Sequence, residues 1–288
     1  MLHRFCAAAC ALALFTGSRA KGDDVVPGVA GSGSATVTLK PAPPPSTANP
    51  SLYRPTRPPP AVPEAAGEAD LRGLAAIRAG DCEAVIRAYD EALAIAPGTA
   101  SYLVNRGQCL AVGGRLDEAI ADLDAAIRRA PELAPIVRDA RVGMRIRRGG
   151  ALLEKGEPGR ALEDFRAART LDPRSSLAWS EEAVAVAQLA RPKDCITAAT
   201  RALRIDPRRA EALSTRATCL AQLGRRAEAL EDLSAAISIA PRGEAYASRA
   251  VMHLEAGHLG PAKRDAREAV RLDPRLEQFL QRVLDAGP

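Results

Sequence analysis

The stretch LVNRGQCLAVGGRLDEAIADLDAAIRRAP, residues 103–131, carries two helical patterns joined by a turn. In the first half Leu103, Gly107 and Leu110 follow one another at spacings of four and three; in the second, Ala119, Ile120, Leu123, Ala126 and Ile127 do the same. Such spacing places side chains on one face of an α-helix. Gly114 interrupts the pattern between the two halves, and Pro131 ends the second helix. Gly107, Ala119 and Ala126 are small where two helices have to touch closely.

The same pattern recurs throughout the sequence. Pro97, Pro131, Pro173, Pro207, Pro241 and Pro274 stand at intervals of 34, 42, 34, 34 and 33 residues. The small residues return with them as Gly149, Ala161 and Ala168, then Ala217, Ala229 and Ala236, then Ala250, Ala262 and Ala269. Bulky residues such as Phe165, Trp179 and Tyr246 fall between. One helix pair cannot bury its apolar side alone, so repeats of this size stack on their neighbours. Composition agrees: 47% of the 288 residues are hydrophobic but only 3% are aromatic. Packing then rests on Ala and Leu, which favours closely apposed helices over sheets. A formal net charge of +5 on this length is too small to indicate a nucleic-acid partner.

These residues resemble the tetratricopeptide repeat (TPR) family, whose unit is a helix–turn–helix of 34 residues with this alternation of small and large positions. The resemblance spans residues 66–275 in six copies, near 66–99, 100–133, 142–175, 176–209, 210–242 and 243–275. It implies an all-α fold, an α–α solenoid closed by a capping helix over 276–286 that carries Leu276, Phe279, Leu280 and Val283. Two copies depart from the pattern. The first lacks the bulky residue early in its first helix, and the fourth has Ala190 where a turn glycine is expected. Between the second and third copies lie eight extra residues, Ala134 to Arg141. Pro135 suits the start of a helix, so the third repeat's first helix is expected to be two turns longer and to protrude, as a docking spur or as a tolerated insertion.

In the repeat frame an arginine and an aspartate 16 residues apart face each other across the two helices of one repeat. Arg106–Asp122, Arg148–Asp164, Arg216–Asp232 and Arg249–Asp265 are the expected ion pairs. The fourth repeat has Glu182 and Ala198 at those places, and the first has Arg72 facing Ala88.

The N-terminus reads as an export signal. A positive charge at Arg4 precedes the apolar run Phe5–Phe15, and small residues at Ser18 and Ala20 suit cleavage before Lys21. Eleven apolar residues are too few to span a bilayer. Lipidation at Cys10 fits less well, because Ala7 stands where that motif has Leu. Residues 21–65, with Gly31 to Ser34 and a dense run of prolines, read as a disordered tether. The leader and the Ala/Arg bias suggest a bacterial protein that is periplasmic or extracellular. Four cysteines then remain. The repeat geometry sets Cys82 beside Cys109 and Cys195 beside Cys219, each pair closing a loop worth roughly 3 kcal/mol as a disulfide. Buried reduced thiols are the alternative.

No pattern for catalysis, metal or cofactor emerges. His253 and His258 lack zinc-helix spacing, no cysteines are closely paired, and no glycine loop precedes a helix to hold phosphate. What remains is a surface. The resemblance implies a concave groove lined by first-helix residues: Val104, Asn105, Gln108, Val112, Ile146, Arg147, Glu154, Ser180, Gln188, Ser214, Thr218, Gln222, Ala247, Val251 and Glu255. The partner expected there is a protein or peptide segment. Chaperone-binding members hold a C-terminal carboxylate in a clamp of Lys and Asn. Asn105 and Arg147 match two clamp positions, but Asp70, Leu74 and Gly143 occupy the other three, and Asp70 would repel the anion. An alternative partner is an anionic envelope polymer, held by Arg128, Arg129, Arg201, Arg204, Arg208 and Arg209 on second helices and turns. A role in assembling an envelope complex is a third reading.

Overall fold

The computed structural model describes residues 63–287. The leader over 1–20 and nearly all of the tether over 21–65 lie outside the described residues. Glu64 and Ala65, placed in the tether by composition, instead form the first turn of α1, directly after Pro63. The described residues divide into an N-terminal unit ending at Leu133 and a C-terminal unit beginning at Ala134.

The N-terminal unit contains α1 (Glu64–Ala79), α2 (Cys82–Ile95), α3 (Ala100–Val112) and α4 (Leu116–Arg129). The C-terminal unit contains α5 (Ala134–Glu154), α6 (Pro158–Leu171), α7 (Ser176–Gln188), α8 (Pro192–Ile205), α9 (Ala210–Gln222), α10 (Arg226–Ile239), α11 (Gly243–Glu255), α12 (Leu259–Leu272) and α13 (Glu277–Leu284). No strand occurs among the described residues. Within each unit consecutive helices pack as antiparallel pairs, two in the first and four in the second, which is the solenoid arrangement.

Local chemistry sets the helix ends. Asp81 accepts from the Ala84 N–H at 2.9 Å and Ser175 from that of Ala178 at 3.2 Å, satisfying donors that a helix start leaves free. Pro158 and Pro192 begin α6 and α8, where a missing N–H is harmless. Three repeats close on an Asp-Pro-Arg turn. In it Asp172, Asp206 and Asp273 each accept from the backbone N–H two residues on, at 3.0, 3.1 and 3.1 Å.

The turn within each helix pair needs a residue in the left-handed region. Gly80, Gly114, Gly156, Gly224 and Gly257 supply it, with φ of 73–80°. Ala190 holds the same place with φ 54°. The turn therefore forms without its glycine, at the steric cost that a Cβ atom incurs there.

The core is rich in alanine, with leucines and a few larger side chains between. Phe165 and Tyr89 are fully buried, each lying over a glycine of the facing helix. A Cβ at Gly149 would stand 2.5 Å from the Phe165 ring, and one at Gly73 would stand 2.7 Å from Tyr89. Burying a side chain of this size contributes about 1.5–3 kcal/mol. At the C-terminus Leu276, Leu280 and Val283 cover Ala262, Ala266 and Ala269, so α13 closes the last repeat. α5 has 21 residues against 13 in α3, α7, α9 and α11. The eight extra residues thus continue the helix by two turns, with Pro135 in its first turn and Ile136 exposed.

Candidate binding groove

Four of the groove-bearing helices are held in register by an arginine. Arg106 donates to both Asp122 oxygens at 2.8 Å, Arg148 to those of Asp164 at 2.6 Å, and Arg216 to those of Asp232 at 2.7 Å. Arg249 reaches Asp265 at 2.7 and 2.9 Å. All four aspartates are buried. Bidentate pairing of this kind fixes orientation as well as charge.

A second contact runs between repeats. Arg106 also donates to Asp90 at 2.7 Å, Arg216 to Thr200 at 3.3 Å and Arg249 to Ser234 at 3.0 Å, each on the second helix of the preceding repeat. In the fourth repeat the polarity is reversed. Glu182, buried on α7, accepts from Arg166 of α6 at 3.2 Å. Arg169 Nε lies 2.6 Å from its other oxygen, as an ion contact without hydrogen-bond alignment. The Arg169 guanidinium covers the Trp179 ring at 4.5 Å. In the first repeat Arg72 pairs with Glu91 in place of the missing aspartate.

The cysteine pairs are not equivalent. Cys195 and Cys219 form a disulfide with an S–S distance of 2.04 Å. Cys82 and Cys109 are both thiols, against expectation. The reason is register. α2 and α8 correspond end to end, so Cys82 at the first position of α2 matches Pro192, and Val85 stands where Cys195 does. Cys82 therefore approaches Cys109 from one helical turn earlier than Cys195 approaches Cys219, and the two thiols meet as neighbours without a bond. Burial, followed by the neighbouring Cys82 thiol, pushes the Cys109 thiol up to about 12.

The residues expected in the groove fall into two groups. Ser180, Thr218 and Ala247 are buried, with only 2%, 6% and 4% of their surface exposed. Small side chains there allow close helix approach, so they pack and do not line the surface. The Thr218 hydroxyl donates to the Ser214 carbonyl at 3.1 Å. The others reach the surface: Val112, Arg147, Glu154 and Gln222 are exposed, and Val104, Gln108, Ile146, Gln188, Ser214, Val251 and Glu255 are half-buried. Glu255 lies 3.3 Å from Arg226.

In the N-terminal unit the groove contains a polar relay. Asn105 Nδ2 donates to the Tyr89 hydroxyl at 2.8 Å, and that hydroxyl donates to Asp70 Oδ1 at 3.0 Å. Tyr89 and Tyr102 pack with centroids 5.5 Å apart. Burial raises the Asp70 carboxyl above its ordinary value, partly opposed by the Tyr89 hydrogen bond. Asn105 is thus committed to Tyr89, and the acidic neighbour it helps to hold is the reverse of a carboxylate receptor.

Elsewhere, the turn arginines are largely neutralised locally. Arg115 pairs with Glu118, Arg191 with Asp194, Arg225 with Glu228 and Arg271 with Glu268. Of the six arginines proposed for polymer contact, Arg209 is half-buried and donates to Ser176 Oγ at 2.7 Å, while the others are exposed. Burial holds His253 below its ordinary value; its ring lies 5.8 Å from that of His258. Among the described residues no helix is long and apolar enough to cross a membrane, and no cluster of three metal-ligating side chains occurs.

Comparison with known proteins follows the same lines. Sequence models of the tetratricopeptide repeat match residues 71–134, 146–207 and 210–242, more than half of the full length. Among solved structures, YrrB is a TPR protein described as having an unusual peptide-binding site. It is 20% identical with a TM-score of 0.51, over 67% of this chain and 96% of its own. PilF of Pseudomonas aeruginosa is 16% identical with a TM-score of 0.51, over 76% of this chain and 97% of its own. At these identities the likeness is one of fold. No curated protein matches the sequence. The chain belongs to the tetratricopeptide repeat family, whose members generally act as protein-interaction scaffolds.

Proposed function

We propose that the protein is a non-enzymatic scaffold of the bacterial cell envelope that holds an extended segment of a partner protein against the first helices of its repeats. One observation carries this reading. Within each unit the first helices present mostly apolar and uncharged polar side chains, Val104, Gln108 and Val112 in one and Gln188, Ser214, Gln222 and Val251 in the other, beside the charged Arg147 and Glu154, whereas many turn charges are already paired. Apolar contact combined with amide hydrogen bonding suits an extended peptide. The peptide-binding site described for YrrB, a protein of the same fold, supports the idea. Export is supported by the leader pattern and by the Cys195–Cys219 disulfide, since such bonds persist in oxidising compartments.

The test is recovery of partners from an envelope extract on the immobilised full-length protein. Val112→Gln combined with Gln222→Trp should abolish recovery, and Arg201→Ala combined with Arg208→Ala should leave it intact. The exposed Arg201, Arg204 and Arg208 favour the polymer reading. That reading requires the opposite pattern, together with loss of binding between roughly 50 and 500 mM salt as screening sets in.

A further inference from the structure

Asp70 is the exception among the carboxylates that pack inside the repeats. Asp122, Asp164, Asp232, Asp265 and Glu182 are buried, and each is matched by an arginine. Asp70 is half-buried, and no basic group contributes to its electrostatics. The nearest candidates by sequence are engaged elsewhere: Arg72 with Glu91, and Arg106 with Asp90 and Asp122. Its Oδ1 accepts from Tyr89, and its Oδ2 has no hydrogen-bond partner among the described residues. Folding does not require the charge. The Tyr89 hydroxyl already accepts from Asn105, and a neutral oxygen at position 70 would take its proton equally well. Nor is the group loosely held, because Gly73 admits the Tyr89 ring that fixes it. One turn further along α1, on the same face, Leu74 is 37% exposed. Val104 and Gln108 of α3 are half-buried and Val112 is exposed.

We propose that this part of the groove is a receptor for a basic side chain, arginine or lysine, on an extended partner segment whose neighbouring apolar residue rests on Leu74 and the valines of α3. The inference depends on the groove reading above and narrows it. A partly desolvated carboxylate without a counter-ion attracts a cation more strongly than a solvated one does. Arginine can engage it through more than one N–H. The site is the charge inverse of a carboxylate clamp and discriminates against the terminal carboxylate of a partner.

The experiment uses the full-length protein and a set of acetylated, amidated dodecapeptides that share one sequence with two leucines. The set varies a single central position among Arg, Lys, citrulline, Ala and Glu. The wild-type protein should bind the Arg and Lys peptides at least about tenfold more tightly than the citrulline peptide, a difference of about 1.4 kcal/mol. Asp70→Asn keeps an oxygen for Tyr89. It should lose that preference without a lower melting temperature at neutral pH, and Asp70→Lys should turn the preference toward Glu. Equal binding of the Arg and citrulline peptides, or a preference that survives Asp70→Asn, overturns the proposal. Leu74→Gln combined with Val112→Gln separates the two levels. If binding is indifferent to charge but lost in this variant, the groove stands and the receptor falls. If no peptide binds, or if binding ignores every substitution, both fall.

Discussion

At the scale of single residues, the repeating arginines act as three-way joints. Each holds the aspartate of its own second helix and, in three repeats, a side chain of the preceding repeat as well. A buried aspartate stripped of its arginine is an uncompensated charge, whereas losing both members together is far less harmful. Arg216→Leu alone should therefore destabilise by roughly 3–5 kcal/mol, and the double change with Asp232→Leu by clearly less. Urea melts of the three proteins measure this, and equal midpoints for the single and double variants would remove the joint from the account. Asp70 behaves in the opposite sense. Burial, partly opposed by the hydrogen bond from Tyr89 of α2, leaves its carboxyl raised. A raised acid holds its proton more tightly in the folded state, so its contribution is favourable below the unfolded value and is lost as pH rises through the folded one. At neutral pH the ionised group is a net penalty. Asp70→Asn should melt no lower than wild type there, and the difference should shrink as pH falls through the carboxylate range.

At the scale of elements, the helix pairs were legible because period, proline and small residues all mark the same boundaries. The two-turn extension of α5 was legible from an eight-residue excess that begins with a helix-starting proline. Other features depend on which neighbour a side chain meets, and a repeat alignment within one copy does not show that. Glu182 has no partner within its own repeat, because its arginines sit on α6 of the preceding repeat. Ser180, Thr218 and Ala247 hold groove positions in the repeat, but their small side chains are buried, and burial depends on the neighbouring helices. Cys82 and Cys195 both lie near the start of a second helix, but Cys82 sits one turn earlier. The Ala190 turn is a direct test of local backbone physics. Its positive φ is the one such value outside glycine among the described residues. Ala190→Gly should stabilise the C-terminal unit by about 1 kcal/mol, since glycine adopts that conformation without a Cβ penalty. A lower melting temperature for this variant would show that the alanine methyl makes a contact worth more than the strain.

At the scale of the whole molecule, the proposed export leader and proline-rich tether precede two helical units. The intact mass from the native host should correspond to a polypeptide starting at Lys21 with one disulfide and two free thiols. Cys109 should resist alkylation near neutral pH until the protein is unfolded, because its thiol is buried and pushed up to about 12. A species retaining Met1 and six free thiols would move the scaffold to a reducing compartment with different partners. The groove itself is tested most directly by photo-crosslinking in the living host, with a benzophenone amino acid placed at Val112, at Gln222 or at the outer-turn Arg208. The account predicts discrete adducts to the same partner from Val112 and Gln222 and none from Arg208. Adducts from Arg208 alone would contradict it.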